Sequence, residues 1–201
     1  LKENFYLDEI TSKLLSIRKI DKKDINLFLN PSIKSSLPDP SILKDMIKAT
    51  NYTVELIQQK KKFGIFGDYD VDGASSTALL GNYLKSINCP FEIFIPDRKK
   101  DGYGPSSKSF DYLIDKKVDL IFTVDCGTVS FEPIEYAKSK NISVIVLDHH
   151  QSEIKLPKAN AIINPNRLDD TSNLNYLCAS GVCFMFLVSL NRKLRQLNWF
   201  K

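Results

Sequence analysis

The sequence predicts an α/β protein with a doubly wound, mainly parallel sheet and a helical lead-in at its N-terminus. Short apolar runs recur after residue 60, and segments of helical length separate most of them; the runs are residues 63–66, 91–95, 120–124, 144–147 and 161–163. Strands that are apolar throughout are typical of parallel sheets with helices on both faces. Helical periodicity without a strand pattern precedes them.

The lead-in, residues 1–60, is predicted to contain three helices and no catalytic or metal-binding residues. Apolar positions keep a helical period over residues 7–17, and a second short helix over residues 24–29 ends before Pro31. Ser41 is predicted to cap the third helix, because a hydroxyl side chain can accept hydrogen bonds from the first free amides of a helix.

The second region, residues 61–201, is predicted to be one domain in which strands alternate with helices. Helices are expected between the apolar runs and after the last of them, near residues 74–87, 106–116, 131–140 and 178–197. A chain of 201 residues is long enough to bury one such core.

The composition is that of an ordinary globular protein, with 43% apolar and 26% charged residues. A net charge of +4 permits a nucleic-acid partner without requiring one. Four cysteines without a C-x-x-C pair predict reduced thiols and a cytoplasmic protein. The longest apolar stretch, residues 182–190, is shorter than the roughly 20 residues that cross a bilayer, so no membrane span is expected. Because Leu1 is not an initiator Met, the chain is expected to be a piece of a longer protein.

The first apolar run is followed by a carboxylate at every second residue. These are Asp68, Asp70 and Asp72, with Gly73 directly behind them. Two unit charges about 5 Å apart repel by roughly 3 kcal/mol at an effective dielectric of about 20, so this crowding favours a bound divalent cation. An acidic surface turn is the simpler structural interpretation of the same residues.

Two other kinds of site share parts of this pattern. The same residues match the first calcium-ligating positions of an EF-hand loop, but the position that requires a bidentate Glu is Leu79, and a helix should precede such a loop. An aspartyl phosphotransferase with Asp70 as its nucleophile is the second alternative, and it requires downstream partners of its own.

Two later apolar runs also end in polar motifs, which are Asp125-Cys126-Gly127 and Asp148-His149-His150. Parallel strands place their carboxyl ends at one edge of the sheet, so these side chains are expected to meet the first acids there. Both histidines of the chain lie in the last motif. Taken alone, Asp125 is also a candidate helix cap, but the motifs together predict a metal site.

The ligand types favour a hard divalent cation. Carboxylates outnumber imidazoles, which suits Mg²⁺ or Mn²⁺, whereas Cys126 beside His149 leaves Zn²⁺ open. So many carboxylates favour two ions that share one Asp, and pairs of ions about 3.5 to 4 Å apart recur in enzymes that hydrolyse phosphate esters.

These motifs carry a resemblance to a known family. Residues 68–74, 124–127 and 148–150 resemble successive motifs of the DHH phosphoesterase superfamily. Within it, further segments resemble the RecJ family of bacterial single-strand-specific DNA exonucleases; they are residues 28–31, 37–40, 96–98, 101–105 and 177–182. The match extends over nearly the whole chain. Smaller DHH enzymes typically carry a His where this chain has Phe66, and relatives carry Gly-Ala where it has Ala179-Ser180.

The resemblance implies a role for each acidic and imidazole side chain of the motifs. The implied metal ligands are Asp68, Asp70, Asp72, Asp125 and His149. Asp125 would be the ligand shared by both ions, and His150 would face the scissile phosphate. Asp148 would orient a histidine by accepting its ring N–H. The implied catalytic residues are therefore His150, Asp125 and Asp148.

The resemblance also implies a substrate and partners. Arg98 would clamp a phosphate, and Tyr103 and His150 would contact the nucleotide. The implied activity is 5′→3′ hydrolysis of single-stranded DNA in repair and recombination, by a monomer that works with a single-strand-binding protein and a helicase. Family members continue with another metal-binding Asp, a second cleft domain and an oligonucleotide-binding module. Residues 61–201 are therefore expected to be a truncated catalytic domain, weak as an enzyme by itself.

Two alternatives remain open. A small-substrate DHH phosphodiesterase would cut oligonucleotides or cyclic dinucleotides rather than long single strands. A non-catalytic scaffold derived from this family would instead bind a replication partner, although the retained aspartates and histidines argue against it.

Overall fold

The structure is a computed structural model that describes residues 6–200, and it divides into two compact units between Asp39 and Pro40. The first unit contains the helices α1 (Glu9–Ile17), α2 (Ile25–Leu29) and α3 (Ile33–Ser36), with a 3₁₀ turn at Lys22–Asp24. The second begins with a 3₁₀ turn at Pro40–Ile42. Its elements are then α4 (Met46–Gln58), β1 (Phe63–Phe66), α5 (Val71–Ser86), β2 (Phe91–Phe94), α6 (Ser107–Asp115), β3 (Leu120–Val124), α7 (Phe131–Ser139), β4 (Ser143–Leu147), β5 (Ala161–Ile163) and α8 (Ala179–Gln196).

Side-chain caps start two of the helices in the first unit, α1 and α3. Asp8 accepts hydrogen bonds from the Thr11 amide at 2.9 Å and the Thr11 hydroxyl at 2.7 Å, which satisfies free donors at the start of α1. Ser32 caps α3 in the same way through the Ser35 amide. The sequence pattern did not predict α3, whose single turn is too short to show a period.

The sheet of the second unit is parallel throughout, with the strand order β2-β1-β3-β4-β5. The predicted fold class, α/β with a doubly wound parallel sheet, is therefore confirmed. The chain first builds outward from β1 to β2 and then crosses back to β3. This reversal leaves a crevice at the carboxyl ends of β1 and β3, where open sheets of this kind bind their ligands.

Alternate residues of each strand point to opposite faces, and each face has its own helical layer. Phe63, Phe122 and Ile145 belong to a core shared with α4, α5 and α8. Phe66 and Val146 belong to a second core, shared with α6 and α7. Burial on both faces explains why β1, β3, β4 and β5 are mostly apolar, whereas the edge strand β2 is only partly buried and contains Glu92. Among residues 6–200, no helix is both long enough and apolar enough to cross a membrane.

The third predicted helix begins later than expected. Ser41 lies in the 3₁₀ turn, so the prediction that it caps this helix is wrong; α4 begins at Met46 and follows Asp45, whose φ is 63°. The Asp45 carboxylate instead accepts hydrogen bonds from Arg167 at 2.8 Å and from the Ile162 amide at 3.1 Å. Asp45 thus ties the start of α4 to strand β5.

Helix α4 belongs to the same compact unit as the sheet, because it packs against α8 and β5. The boundary between the units therefore precedes the boundary at residue 60 expected from the sequence. The functional division into a lead-in of residues 1–60 and a catalytic domain of residues 61–201 stays a prediction.

We expect Asp45→Asn to destabilise the protein by about 1 to 3 kcal/mol, because the buried Arg167 guanidinium loses a charged hydrogen-bond partner. Asn tolerates the left-handed backbone of this position, so the change isolates the charge. Asp169 also pairs with Arg167, but its side chain is 52% exposed, so Asp169→Asn should cost less than about 1 kcal/mol. Urea unfolding at neutral pH measures both, and equal losses would contradict this assignment.

Candidate metal centre

Polar side chains converge at the carboxyl ends of β1, β3 and β4. Each of these strands is followed at once by one of the acidic motifs, and the strands are neighbours in the sheet. The fold thus brings the three motifs together at one edge of the sheet, as the sequence predicted.

Asp70 begins helix α5. Its Oδ1 atom accepts hydrogen bonds from the amides of Asp72 and Gly73, both at 2.9 Å. The Gly73 amide is the main reason that the pKa of Asp70 is lowered, so this carboxylate is ionised. Because Asp70 is the cap, the helix begins at Val71 rather than near residue 74, as the sequence predicted.

Gly73 allows this helix to approach strand β1 closely. A Cβ atom at Gly73 would lie 2.5 Å from the Cβ of Asp68 and 2.6 Å from its carbonyl oxygen. The absence of a side chain at this position therefore lets Asp68 and Asp70 lie side by side. Asp68 is buried, and burial followed by the neighbouring charge of Asp70 raises its pKa.

Asp125 is the least compensated acid of the site. Its side chain is 1% exposed, and neither carboxylate oxygen has a hydrogen-bond partner. Burial, followed by the nearby carboxylates of Asp70 and Asp72, raises its pKa to about 8. Its backbone φ is 62°, in the left-handed region that Asp tolerates better than most residues. A buried carboxylate in this state requires either a proton or a cation.

Among residues 6–200, two sets of side chains each place three potential ligand atoms within 4.8 Å of one another, and Asp125 belongs to both sets. The first set is Asp68, Asp70 and Asp125, and the second is Asp125, His149 and His150. Carboxylate oxygens with imidazole nitrogens suit Mn²⁺ or Mg²⁺. The unpartnered Asp125 oxygens and this donor set fit divalent cations.

Asp72 lies beside these sets rather than within them. Its two oxygens accept hydrogen bonds from the Ala179 amide at 2.8 Å and the Ser180 amide at 2.9 Å, at the start of α8. Burial opposes its ionisation, but these amides outweigh burial and lower its pKa. The His149 Nε2 atom lies 3.7 Å from Asp72 and 3.3 Å from Asp125, so His149 faces both acids.

Asp148 holds His150. Its Oδ1 atom accepts from the Nδ1 of His150 at 2.8 Å, and its Oδ2 accepts from the Thr128 amide at 3.0 Å. Burial opposes the charge of Asp148, but the bonds from His150 and Thr128 lower its pKa to about 2. In return, the bond to Asp148 raises the pKa of His150. The structure thus brings Asp148 to the imidazole that it was predicted to orient.

The predicted substrate-binding side chains lie on the loops around the site. The Tyr103 hydroxyl is 3.4 Å from the Nε2 of His150 and 3.5 Å from the carbonyl oxygen of Asp125. The Arg98 guanidinium lies over the ring of Tyr69, 5.4 Å from its centroid. Tyr103 therefore contacts the centre directly, whereas Arg98 lies beside it, next to the residue between Asp68 and Asp70.

The sequence analysis missed the polar side chains that support the motifs. Asn164 is fully buried, and its Nδ2 donates to the Thr128 hydroxyl at 2.8 Å and to the His150 carbonyl at 2.9 Å. The Asn166 side chain donates to the His149 carbonyl. The signal that identifies them is the polar Asn-Pro-Asn run directly after β5, at the same edge of the sheet.

Two alternatives from the sequence do not fit this geometry. Strand β1, rather than a helix, precedes the first acids, which excludes the EF-hand interpretation. The Cys126 thiol is buried and lies 3.5 Å from the carbonyl oxygen of Val124, to which it donates, so it does not join the acids of the site. Neither set of potential ligands contains a cysteine.

The strand order and the cluster of carboxylates and imidazoles at its crevice define an α/β protein with a candidate metal site at the carboxyl edge of a parallel sheet. The chain belongs to the DHH family, because the family model described as "DHH family, N-terminal domain" matches residues 62–199.

Curated relatives support the resemblance to RecJ. The chain is 32% identical over 185 residues to the single-stranded-DNA-specific exonuclease RecJ of Bacillus subtilis, an alignment that covers 92% of this chain and 23% of the relative. It is 37% identical over 173 residues to RecJ of Haemophilus influenzae, which covers 86% of this chain and 30% of the relative. The chain thus spans less than a third of the length of these relatives.

Solved structures agree. An exonuclease RecJ bound to manganese superposes with a TM-score of 0.69 at 30% identity, over 76% of this chain and 38% of that chain. RecJ of Thermus thermophilus in complex with Mn²⁺ superposes with a TM-score of 0.64 at 27% identity, over 76% of this chain and 22% of that chain.

We expect Asp125→Asn to stabilise the metal-free protein at pH 8. The folded state holds a proton on Asp125 more tightly than the unfolded state does, so its contribution is full below pH about 4 and is lost as pH rises toward about 8. Each pH unit in this window costs at most about 1.4 kcal/mol. Asn has the same shape and tolerates the left-handed backbone.

The measurement is urea unfolding of both proteins in chelator at pH 5 and pH 8. The stability of the wild type should fall more than that of the variant over this interval. Titration of groups far from Asp125 is common to both proteins and cancels in the difference. The charge of Asp125 contributes to the raised pKa of His150, so the difference reports these two groups together. Parallel pH dependences would show that Asp125 ionises normally.

Proposed function

We propose that the chain carries the ion-binding site of a nuclease that hydrolyses phosphodiester bonds in single-stranded DNA, in the 5′→3′ direction. The observation that carries the proposal is Asp125, a buried carboxylate without partners that belongs to both potential ligand sets. Support for the substrate comes from the relatives, which are named single-stranded-DNA-specific exonucleases.

The proposed ligands of two Mn²⁺ or Mg²⁺ ions are Asp68, Asp70, Asp72, Asp125 and His149. When bound, such ions supply an activated water and neutralise charge on the phosphate. Asp125 is the shared ligand because both sets contain it. Asp70 and Asp72 accept hydrogen bonds from helix amides, which fix the orientations of both carboxylates. They therefore do not need to reorganise when ions bind.

His150 is proposed to act on the phosphate. Its Nδ1 is bound to Asp148, so its Nε2 is the nitrogen available to the substrate, and it lies toward the Tyr103 hydroxyl. The hydrogen bond to Asp148 raises the pKa of His150, which favours the protonated form of the ring. The protonated ring can donate a hydrogen bond to a phosphate oxygen, while Asp148 holds the ring in place.

The proposed substrate contacts lie on the loop after β2. Arg98, Lys99 and Lys100 are exposed positive charges beside Tyr103, whose ring is 60% exposed. Cations next to an exposed aromatic ring suit the backbone and unstacked bases of a single strand. The remaining proposals rest on the resemblance: a cytoplasmic monomer that acts in repair and recombination with a single-strand-binding protein and a helicase.

We expect Asp125→Asn to reduce Mn²⁺ affinity by at least about 10-fold and to lower the number of ions bound, because both sets lose their shared charge. Asp119→Asn is the matched control. Asp119 directly precedes strand β3, whereas Asp125 directly follows it, and Asp119 pairs with Lys61. Titration calorimetry on the metal-free chain measures both variants. Unchanged stoichiometry and affinity in Asp125→Asn would refute the shared-ligand arrangement.

We expect the natural full-length protein to degrade single-stranded oligonucleotides with Mn²⁺ and to spare a blunt duplex of the same sequence. The reason is that stacking on Tyr103 requires unpaired bases. End-labelled substrates show the extent and direction of digestion, and Asp70→Ala is the inactive control. Equal digestion of both substrates would contradict the proposal, and digestion of trinucleotides alone would favour the small-substrate enzyme.

A further inference from the structure

The loop after β5 continues the bonding of the sheet beyond its last strand residue. The last backbone bond between β4 and β5 runs from the Asp148 amide to the Ile163 carbonyl at 3.1 Å. One residue farther along, the Asn164 side chain takes over and donates to the His150 carbonyl at 2.9 Å. Asn166 then donates in the same way to the carbonyl of His149.

Asn164 also closes a ring of hydrogen bonds around His150. Its Nδ2 donates to the Thr128 hydroxyl at 2.8 Å, and the Thr128 amide donates to Asp148 at 3.0 Å. Asp148 accepts a hydrogen bond from the His150 ring at 2.8 Å. The His150 carbonyl accepts from Asn164, which completes the ring. Asn164, Thr128 and Asp148 are at most 1% exposed, so water cannot replace a lost member without entering the core.

The sequence makes this loop stiff. Pro165 fixes its own φ and keeps Asn164, the residue before it, in an extended conformation. The Asn164 Oδ1 atom accepts from the Asn166 amide at 2.8 Å, which holds the side chain in one orientation. Both Asn side chains therefore present their donors to the histidine loop in a fixed geometry.

We propose that Asn164, assisted by Asn166, is a positioning residue that sets the direction of both imidazoles relative to Asp125. The proposal rests on the proposed ion site and adds to it residues outside the DHH motif itself. Neither Asn belongs to a potential ligand set, so each acts through the backbone that carries the histidines. Without the Asn164 side-chain amide, the His150 carbonyl and the Thr128 hydroxyl each lose a hydrogen-bond donor. The loop that carries the histidines then loses its fixed position.

The test compares Asn164→Ala and Asn166→Ala with Asn160→Ala in the 201-residue chain. Asn160 lies at the opposite end of β5, where its side chain accepts from the Val144 amide at 3.0 Å. Asn160→Ala thus removes a side-chain bond between the same two strands, away from the site. Titration calorimetry with Mn²⁺ alone is the first readout. The second is the long-range ¹H–¹⁵N spectrum of the imidazoles without metal, which is simple because the chain has 2 histidines.

We expect Asn164→Ala to reduce Mn²⁺ affinity by about 10- to 100-fold and to change the His150 ring signals toward averaged tautomers. Asn166→Ala should likewise reduce Mn²⁺ affinity and change the ring signals of His149. If Asn164→Ala does not fold, Asn166→Ala tests the positioning role by itself. Asn160→Ala should lower the melting temperature without changing either readout. Equal effects in all three variants, or unchanged ring signals in the first two, would overturn the proposal. If the wild type binds no Mn²⁺, the ion site fails, and the ring signals alone decide the positioning role.

Discussion

Desolvation of Asp125 is the interaction on which the arrangement of the site depends. Strand β3 carries this carboxylate to the centre of a parallel sheet, where water does not reach it and no donor compensates it. The neighbouring loops then add more negative charge instead of removing it. A protein that stabilised only its metal-free state would place an arginine or an amide there. Ionising this carboxyl group is a cost to the fold that either a retained proton or a bound cation offsets.

Hydrogen bonding separates the acids of the site into two kinds. Asp148 is as buried as Asp125, yet its pKa falls to about 2 because amides and an imidazole donate to it. Asp125 has no such donors, and its pKa rises to about 8. Burial alone therefore does not decide the charge of a carboxylate; its donors do. Asp148 is thus stabilised as an anion and is bonded to the His150 ring, whereas the oxygens of Asp125 have no hydrogen-bond partner.

Much of the fold follows from the sequence because the strands are buried on both faces. The apolar runs locate each strand to within a residue, although Glu92 lies within the edge strand β2 and Thr123 within β3. Bounds set by side-chain hydrogen bonds were not predictable in this way. Asp70 begins α5 earlier than the apolar pattern indicates, and Asp45 displaces the start of α4 because its carboxylate is bound to Arg167.

The site shows the same division. Its acids and histidines were predictable because strand ends in a parallel sheet meet at one edge. Their supports were not, because Thr128 and Asn164 carry no charge and lie in loops whose conformation no periodic pattern encodes. The hydrogen bonds that the amides of α8 donate to Asp72 are a third case, since they depend on how the last helix docks.

The hydrogen bonds that Asp72 accepts from α8 affect the order in which the site forms during synthesis of the chain. Asp72 and Ala179 are 107 residues apart in the chain, and α8 is the final helix of the sheet unit. The first acids leave the ribosome long before the amides that hold Asp72 exist, and contacts this distant in sequence form late in folding. The nascent chain therefore presents an acidic edge in which Asp72 has not yet met the amides that hold it, and its orientation becomes fixed only when α8 docks.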